Sequence, residues 1–187
     1  MAKSRKQITA TKRREKKVQT DTQVNRLSNK QLHALLHELS QNHDWQIVDQ
    51  MLRAEGHQPI ETNTVGFKVQ NQDDYTAISQ DYGKDVALVS VFLKGQSLGS
   101  SKFSKFEVPN DGQLSDLKNF WQRLINALVN STTCLPTCAV EAYTCTKTVS
   151  WDKPWYVTAC DLLVCAISKS DCGGCIADAF RQAFHGG

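Results

Sequence analysis

Apolar positions along this chain recur with two periods, and the change from one to the other divides it into elements. Leu32, Leu35, Leu36 and Leu39 follow one another at helical spacing. Ser28 with Gln31 three residues later fits a capping box, in which each side chain satisfies a free backbone N–H. A helix over about 29–40 follows. Asp44 is placed to cap a second helix that carries Trp45, Val48 and Leu52 on one face, with Ile47 and Met51 beside them and Gly56 as terminator. The pair predicts a short helical hairpin. From Ile60 the period falls to two: Val65, Phe67 and Val69 alternate with Gly66, Lys68 and Gln70, and Val86 to Leu93 is a longer β-branched run. Turn signals at 71–74, 81–84 and 95–97 separate strands near 64–70, 75–80, 86–94 and 102–108, which predicts a small antiparallel meander. Pro109-Asn110-Asp111-Gly112 closes it. Leu114, Leu117, Phe120, Trp121, Leu124, Ile125 and Leu128 then mark one face of a helix over about 114–129 that covers the sheet. Trp155 to Ile167 is apolar apart from Thr158 and Asp161, long enough for a buried helix and too short to span a bilayer.

Charge and cysteine content divide the 187 residues further. Residues 1–20 carry eight basic side chains and one acid, so the overall +3 is a +7 arm on a remainder of −4. With Ile8 and Val18 as its sizeable apolar groups, that arm has little to offset the entropy of ordering, and residues 1–24 read as disordered. Deleting residues 1–20 is expected to leave the fold unchanged. Arg13-Arg14 invites a twin-arginine export reading, but Glu15, Lys16 and Lys17 stand where the apolar stretch of a signal is required. All seven cysteines lie between Cys134 and Cys175, beyond the polar hinge Asn130-Ser131-Thr132-Thr133. The expected organisation is a disordered basic arm (1–24), an α+β domain with helical hairpin, small antiparallel sheet and covering helix (25–130), and a small helical disulfide-rich module (131–187). The 25–130 part holds its own amphipathic elements and no cysteine, so it is expected to fold without the rest.

The cysteine spacing is C-x3-C-x6-C-x14-C-x4-C-x6-C-x2-C. Cys134, Cys138, Cys145, Cys160, Cys165, Cys172 and Cys175 are the disulfide candidates: three bridges and one free thiol would staple a module too small to rely on its core. Six paired cysteines allow 15 connectivities once the odd one is chosen, so the pairing stays open. A metal is the second reading, because Cys172-x2-Cys175 has the spacing of a zinc half-site and Cys134-x3-Cys138 offers two more thiolates. Inert buried thiols are the third. His33 and His37 have the i, i+4 spacing of a zincin pair, but Ala34 stands where the glutamate general base belongs. They read as two histidines on the border of an amphipathic helix. No nucleophile elbow, P-loop or dinucleotide glycine triplet occurs, and an enzyme is the least supported class. The basic arm has no aromatic residue to stack on bases, so nucleic acid is not favoured as a partner.

A cysteine-free α+β part followed by a cysteine-dense helical one resembles the precursors of halocin-type bacteriocins. The resemblance covers mainly residues 134–180, where Cys160-Asp-Leu-Leu-Val-Cys165 and Cys172-Gly-Gly-Cys175-Ile-Ala-Asp-Ala-Phe are similar to that family's apolar helices interrupted by cysteine. This chain has fewer cysteines, an odd number of them, and no twin-arginine signal. The resemblance implies a precursor of a disulfide-stapled antimicrobial peptide, released by a processing protease and secreted by an unidentified route, with the N-terminal part tied to producer immunity and no cofactor. Its partner would be a target-cell membrane or a receptor in it, met by Trp151, Trp155, Tyr156, Leu162 and Leu163, since aromatic rings favour the bilayer interface. The alternative is a cytoplasmic binding protein whose module is held by zinc on Cys134, Cys138, Cys172 and Cys175, with the basic arm contacting nucleic acid. Stoichiometric zinc in the purified protein separates the two.

Overall fold

In the computed structural model, which describes residues 21–108, 119–169 and 172–186, the first regular element is a short strand, β1 (Gln23–Arg26). Gln23 and Val24 pair with Gln70 and Val69. The expected arm therefore ends before β1, and its residues 1–20 lie outside the described part. All four β1 side chains are exposed, so its pairing rests on backbone hydrogen bonds and leaves no apolar signature.

Helix α1 (Asn29–Ser40) begins with the expected capping box: Gln31 N donates to Ser28 Oγ at 3.2 Å and Ser28 N to Gln31 Oε1 at 2.8 Å. Helix α2 (His43–Ala54) is capped by Asn42, whose Oδ1 accepts from Trp45 N at 3.1 Å, and not by Asp44, which sits in the first turn. Strands β2 (Ile60–Gln70), β3 (Asp74–Asp81), β4 (Val86–Leu93) and β5 (Gln96–Ser104) complete a five-stranded antiparallel sheet in the order β1-β2-β3-β4-β5. Strand β5 starts at 96, ahead of the expected 102. Lys94 and Gly95, with φ of 50° and 78°, make the tight turn after β4, and chain direction reverses before the Ser/Gly-rich stretch whose low strand propensity hid it. Helix α3 (Phe120–Asn130) is capped by Asn119; the expected start at 114 lies outside the described residues. Helices α4 (Pro136–Thr148), α5 (Trp155–Ser168) and α6 (Cys175–His185) follow.

The apolar run of strand β4, interrupted only by Ser90, is explained by the covering of both faces of the sheet. Val86, Leu88 and Phe92 point with Ile78 and Tyr82 into a core closed by Leu32, Leu39, Trp45 and Leu52 of the hairpin. Ala87, Val89 and Val91 point the other way, with Val65, Val69, Tyr75, Ala77 and Phe103, into a larger core closed by α3–α6. On that side α5 lies across β2, β3 and β4, while α6 packs on β5 and α3. The fold is α+β in three layers. The covering layer is four helices and not one, and the helices that carry the cysteines are most of it. No boundary near residue 131 is visible in the core: Phe103, Phe120 and Trp121 share one cluster with Trp155, Leu162 and Phe180.

One glycine is required by this arrangement. Gly99, beside a bulge in β5, has φ of 141°, and a Cβ added there would lie 2.5 Å from Phe184 Cβ on α6. Gly99→Ala is expected to cost about 2 kcal/mol or more, through backbone strain and overpacking together. A thermal midpoint equal to that of the unsubstituted chain would contradict the seating of α6 on β5.

Candidate functional site

The cysteine cluster is built by three helices whose ends meet. Pro136 starts α4 at its first turn, where a missing N–H costs nothing. Cys134, just ahead of α4, and Cys138, in its first turn, bond to Cys175 and Cys172 beside the start of α6; Cys145 on the last turns of α4 bonds to Cys165 on α5. α4 is thus tied to both other helices. Cys160 is the free thiol, fully buried, with Sγ 3.9 Å and 3.8 Å from the carbonyl oxygens of Val65 and Ala77. Burial, helped by the negative charge of Asp161 beside it, pushes its pKa well above that of an ordinary thiol, which leaves it unreactive in the folded chain. The choice between Cys160 and Cys165 follows from helix geometry. Five residues place them about 140° apart around α5, so one meets the sheet and the other meets α4.

The four cysteines of the zinc reading are present as two disulfides, Cys134–Cys175 and Cys138–Cys172, and disulfide sulfurs are not thiolate donors. His33 and His37 are exposed on α1. Among the described residues no group of three or more His, Cys, Asp or Glu side chains is placed to hold a metal.

Most of the expected membrane-contact residues are turned inward. Leu162 and Leu163 are completely buried and Trp155 nearly so, while Trp151 and Tyr156 are half-buried. The Trp155 indole donates to the Phe103 carbonyl at 2.7 Å, and its ring meets Phe103 edge-on with centroids 5.0 Å apart. Trp151 stacks on Trp155 and donates to the Thr146 carbonyl at 2.8 Å. In the full chain this aromatic surface is therefore largely covered, with Trp151 and Tyr156 left half-buried. The reason is that α5 supplies the apolar area that the sheet needs on this face. Trp155→Ala should lower stability by about 3–5 kcal/mol, measured by denaturant unfolding; a loss below about 1 kcal/mol would place Trp155 outside the core.

A second feature was not legible in the sequence. A groove of about 800 Å³ runs beside β5, at the open edge of the sheet, between α2 on one side and α3 and α6 on the other. Ile47, Val48 and Met51 form its α2 wall, and Phe106, Phe120 and Phe184 line it opposite. Arg123 of α3 also faces it, donating from Nε to the Ala183 carbonyl at 2.9 Å and from one Nη to Ser101 Oγ at 3.0 Å. The one available signal was that Ile47 and Met51 stand beside, and not on, the buried face of α2.

Compared with known proteins, the chain matches no family model, no curated protein and no solved structure. No helix among the described residues is long and apolar enough to cross a membrane. The three disulfides are compatible with an oxidising, extracellular setting.

Proposed function

We propose that the chain is the precursor of a disulfide-stapled, membrane-directed antimicrobial peptide of the bacteriocin kind, carried in residues 131–187 and held inactive by residues 25–130. The observation that carries this reading is that all three disulfides lie within 134–175 and none crosses to the sheet, while the apolar faces of α5 and α6 are seated on the sheet and α3 without a covalent link. Cleavage in the exposed polar stretch at 130–133 would leave only non-covalent contacts between the two parts. The Trp155, Leu162 and Leu163 surface is then uncovered only when the module leaves the sheet. Covered, it spares the producing cell. Uncovered, it offers apolar area and indole rings to a bilayer interface, and the mechanism is physical and not catalytic. Export of the precursor or of the peptide belongs to the same proposal.

The test is a full-length oxidised chain with a protease site placed at residues 131–133. Nicked protein is expected to release dye from anionic lipid vesicles, and intact protein is not. Reduction of the nicked protein is expected to abolish release, since the stapled arrangement of the helices is lost. Equal leakage by intact and nicked chains, or none by either, overturns the reading. The zinc alternative requires Cys134, Cys138, Cys172 and Cys175 as thiolates, so stoichiometric zinc with four alkylatable thiols in the natural protein would replace the proposal.

A further inference from the structure

The groove beside β5 joins an apolar wall to a cation that has no anionic partner among the described residues. Arg123 makes no ion pair among the described residues. Its guanidinium lies 5.9 Å from the centre of the Phe120 ring and uses two of its N–H groups on Ala183 and Ser101. A guanidinium carries five N–H donors, so three are left for a ligand. Partial burial lowers its pKa, the sign of a charge held where a counter-ion would be favourable. Lys105, exposed at the rim, adds a second positive charge, whereas Lys102 is engaged by Glu55. Among the described residues Asp44 is the one acid in the lining, and it stands on the α2 side with Ile47 and Met51. Those two residues, one turn apart on the same wall, are 51% and 42% exposed, which leaves apolar area open to the groove.

We propose that this groove binds a single-chain fatty acid, its carboxylate on Arg123 and its alkyl chain along Ile47, Val48, Met51 and Phe106. A carboxylate matches the planar fork of a guanidinium with paired hydrogen bonds. An alkyl chain removes the exposed apolar wall from water, which a small inorganic anion would leave wet. A neutral lipid would fill the wall and leave the guanidinium without its anion, at the cost of desolvating it. The volume suits one such molecule, since small-molecule sites fall near 300–1,000 Å³. This site uses none of the disulfide cysteines, but α6 supplies Phe184 to its wall and the Ala183 carbonyl to Arg123, so it belongs to the intact chain and is lost if the C-terminal module leaves.

Calorimetric titration of the full oxidised chain with dodecanoate, kept below micelle formation, tests it against dodecanol and acetate. Dodecanoate is expected to bind saturably at one per chain, about tenfold or more tighter than dodecanol, with acetate weaker still. Arg123→Met, which keeps most of the stem, should make acid and alcohol bind alike. Ile47→Glu, at an exposed position, should weaken dodecanoate by about tenfold or more while the thermal midpoint stays put. That variant keeps the test decisive if Arg123→Met does not fold. Acetate binding as tightly as dodecanoate would reduce the site to an anion site, and equal binding of dodecanol would reduce it to a greasy patch. Either result, the absence of saturable binding, or an Ile47→Glu chain that binds dodecanoate normally overturns the proposal.

Discussion

A chain ending at Asn130 is expected to lose the cooperative unfolding transition that the full chain shows. The sequence pattern led to the opposite expectation, because residues 25–130 contain helices, strands and a complete hairpin of their own. In the fold, however, Val65, Val69, Tyr75, Ala77, Val89 and Val91 form a sheet face whose cover is mostly α5, with α4 and α6 beside it. Removing residues 131–187 bares that face and takes Trp155, Leu162, Leu163, Ile176 and Phe180 away from Phe103, Phe120 and Trp121. Each large apolar side chain returned to water costs about 1.5–3 kcal/mol. Domain stabilities are about 5–15 kcal/mol in total, so a handful of such losses suffices. The hairpin side, with Leu39, Leu52, Ile78 and Leu88, is intact in the truncated chain but is the smaller of the two cores. The expected result is a broad, non-cooperative melt and strong binding of a hydrophobic dye. A sharp transition within a few degrees of the full chain's would mean that the sheet and hairpin stand without the cysteine-bearing layer.

Reduction should have a comparable effect, and on the whole domain. The bridges close loops of 41, 34 and 20 residues, each worth about 3–4 kcal/mol in the chain-entropy account. Three of them together rival a typical domain's entire stability. Because α4, α5 and α6 share one core with the sheet, the near-ultraviolet signal of the aromatic cluster and the sheet signal should vanish in the same transition. A melt confined to residues 131–187 would argue for the two-module division and against a shared core. In the native oxidised chain no thiol should react with an alkylating reagent, six because they are paired and Cys160 because it is buried. Denaturation without reduction should then expose a single reactive thiol at Cys160. A chelator that does not reduce disulfides is expected to leave the midpoint where it is, whereas a chelator-induced melt would restore the zinc reading.

Local signals were read well wherever the physics is local. The capping box at Ser28, the 3.6-residue spacing of the leucines after it, and the period of two from Val65 depend on neighbours within a few residues, and each produced the element it announced. Strand β1 and the first half of β5 were missed for the complementary reason. Apart from Val24 and Leu98 their side chains are polar or small, and their pairing rests on backbone hydrogen bonds to a partner strand that no local window contains. The groove was hidden because its walls come from α2, β5, α3 and α6, far apart in the chain.

What the sequence determined by itself was the class of fold and the presence of a cysteine-dense helical region whose odd count leaves at least one cysteine unpaired within the chain. Composition and periodicity carry that information directly. That six cysteines pair, which partners they take, which one is left over, and where Trp155, Leu162 and Leu163 point were decided by the tertiary structure alone. An apolar helix such as α5 has enough apolar surface to face a bilayer, a peptide partner or its own sheet, and its sequence is the same in all three cases. Here the sheet needed a second cover, α5 supplied it, and that docking turned Cys160 inward against Val65 and Ala77 while leaving Cys165 to meet Cys145.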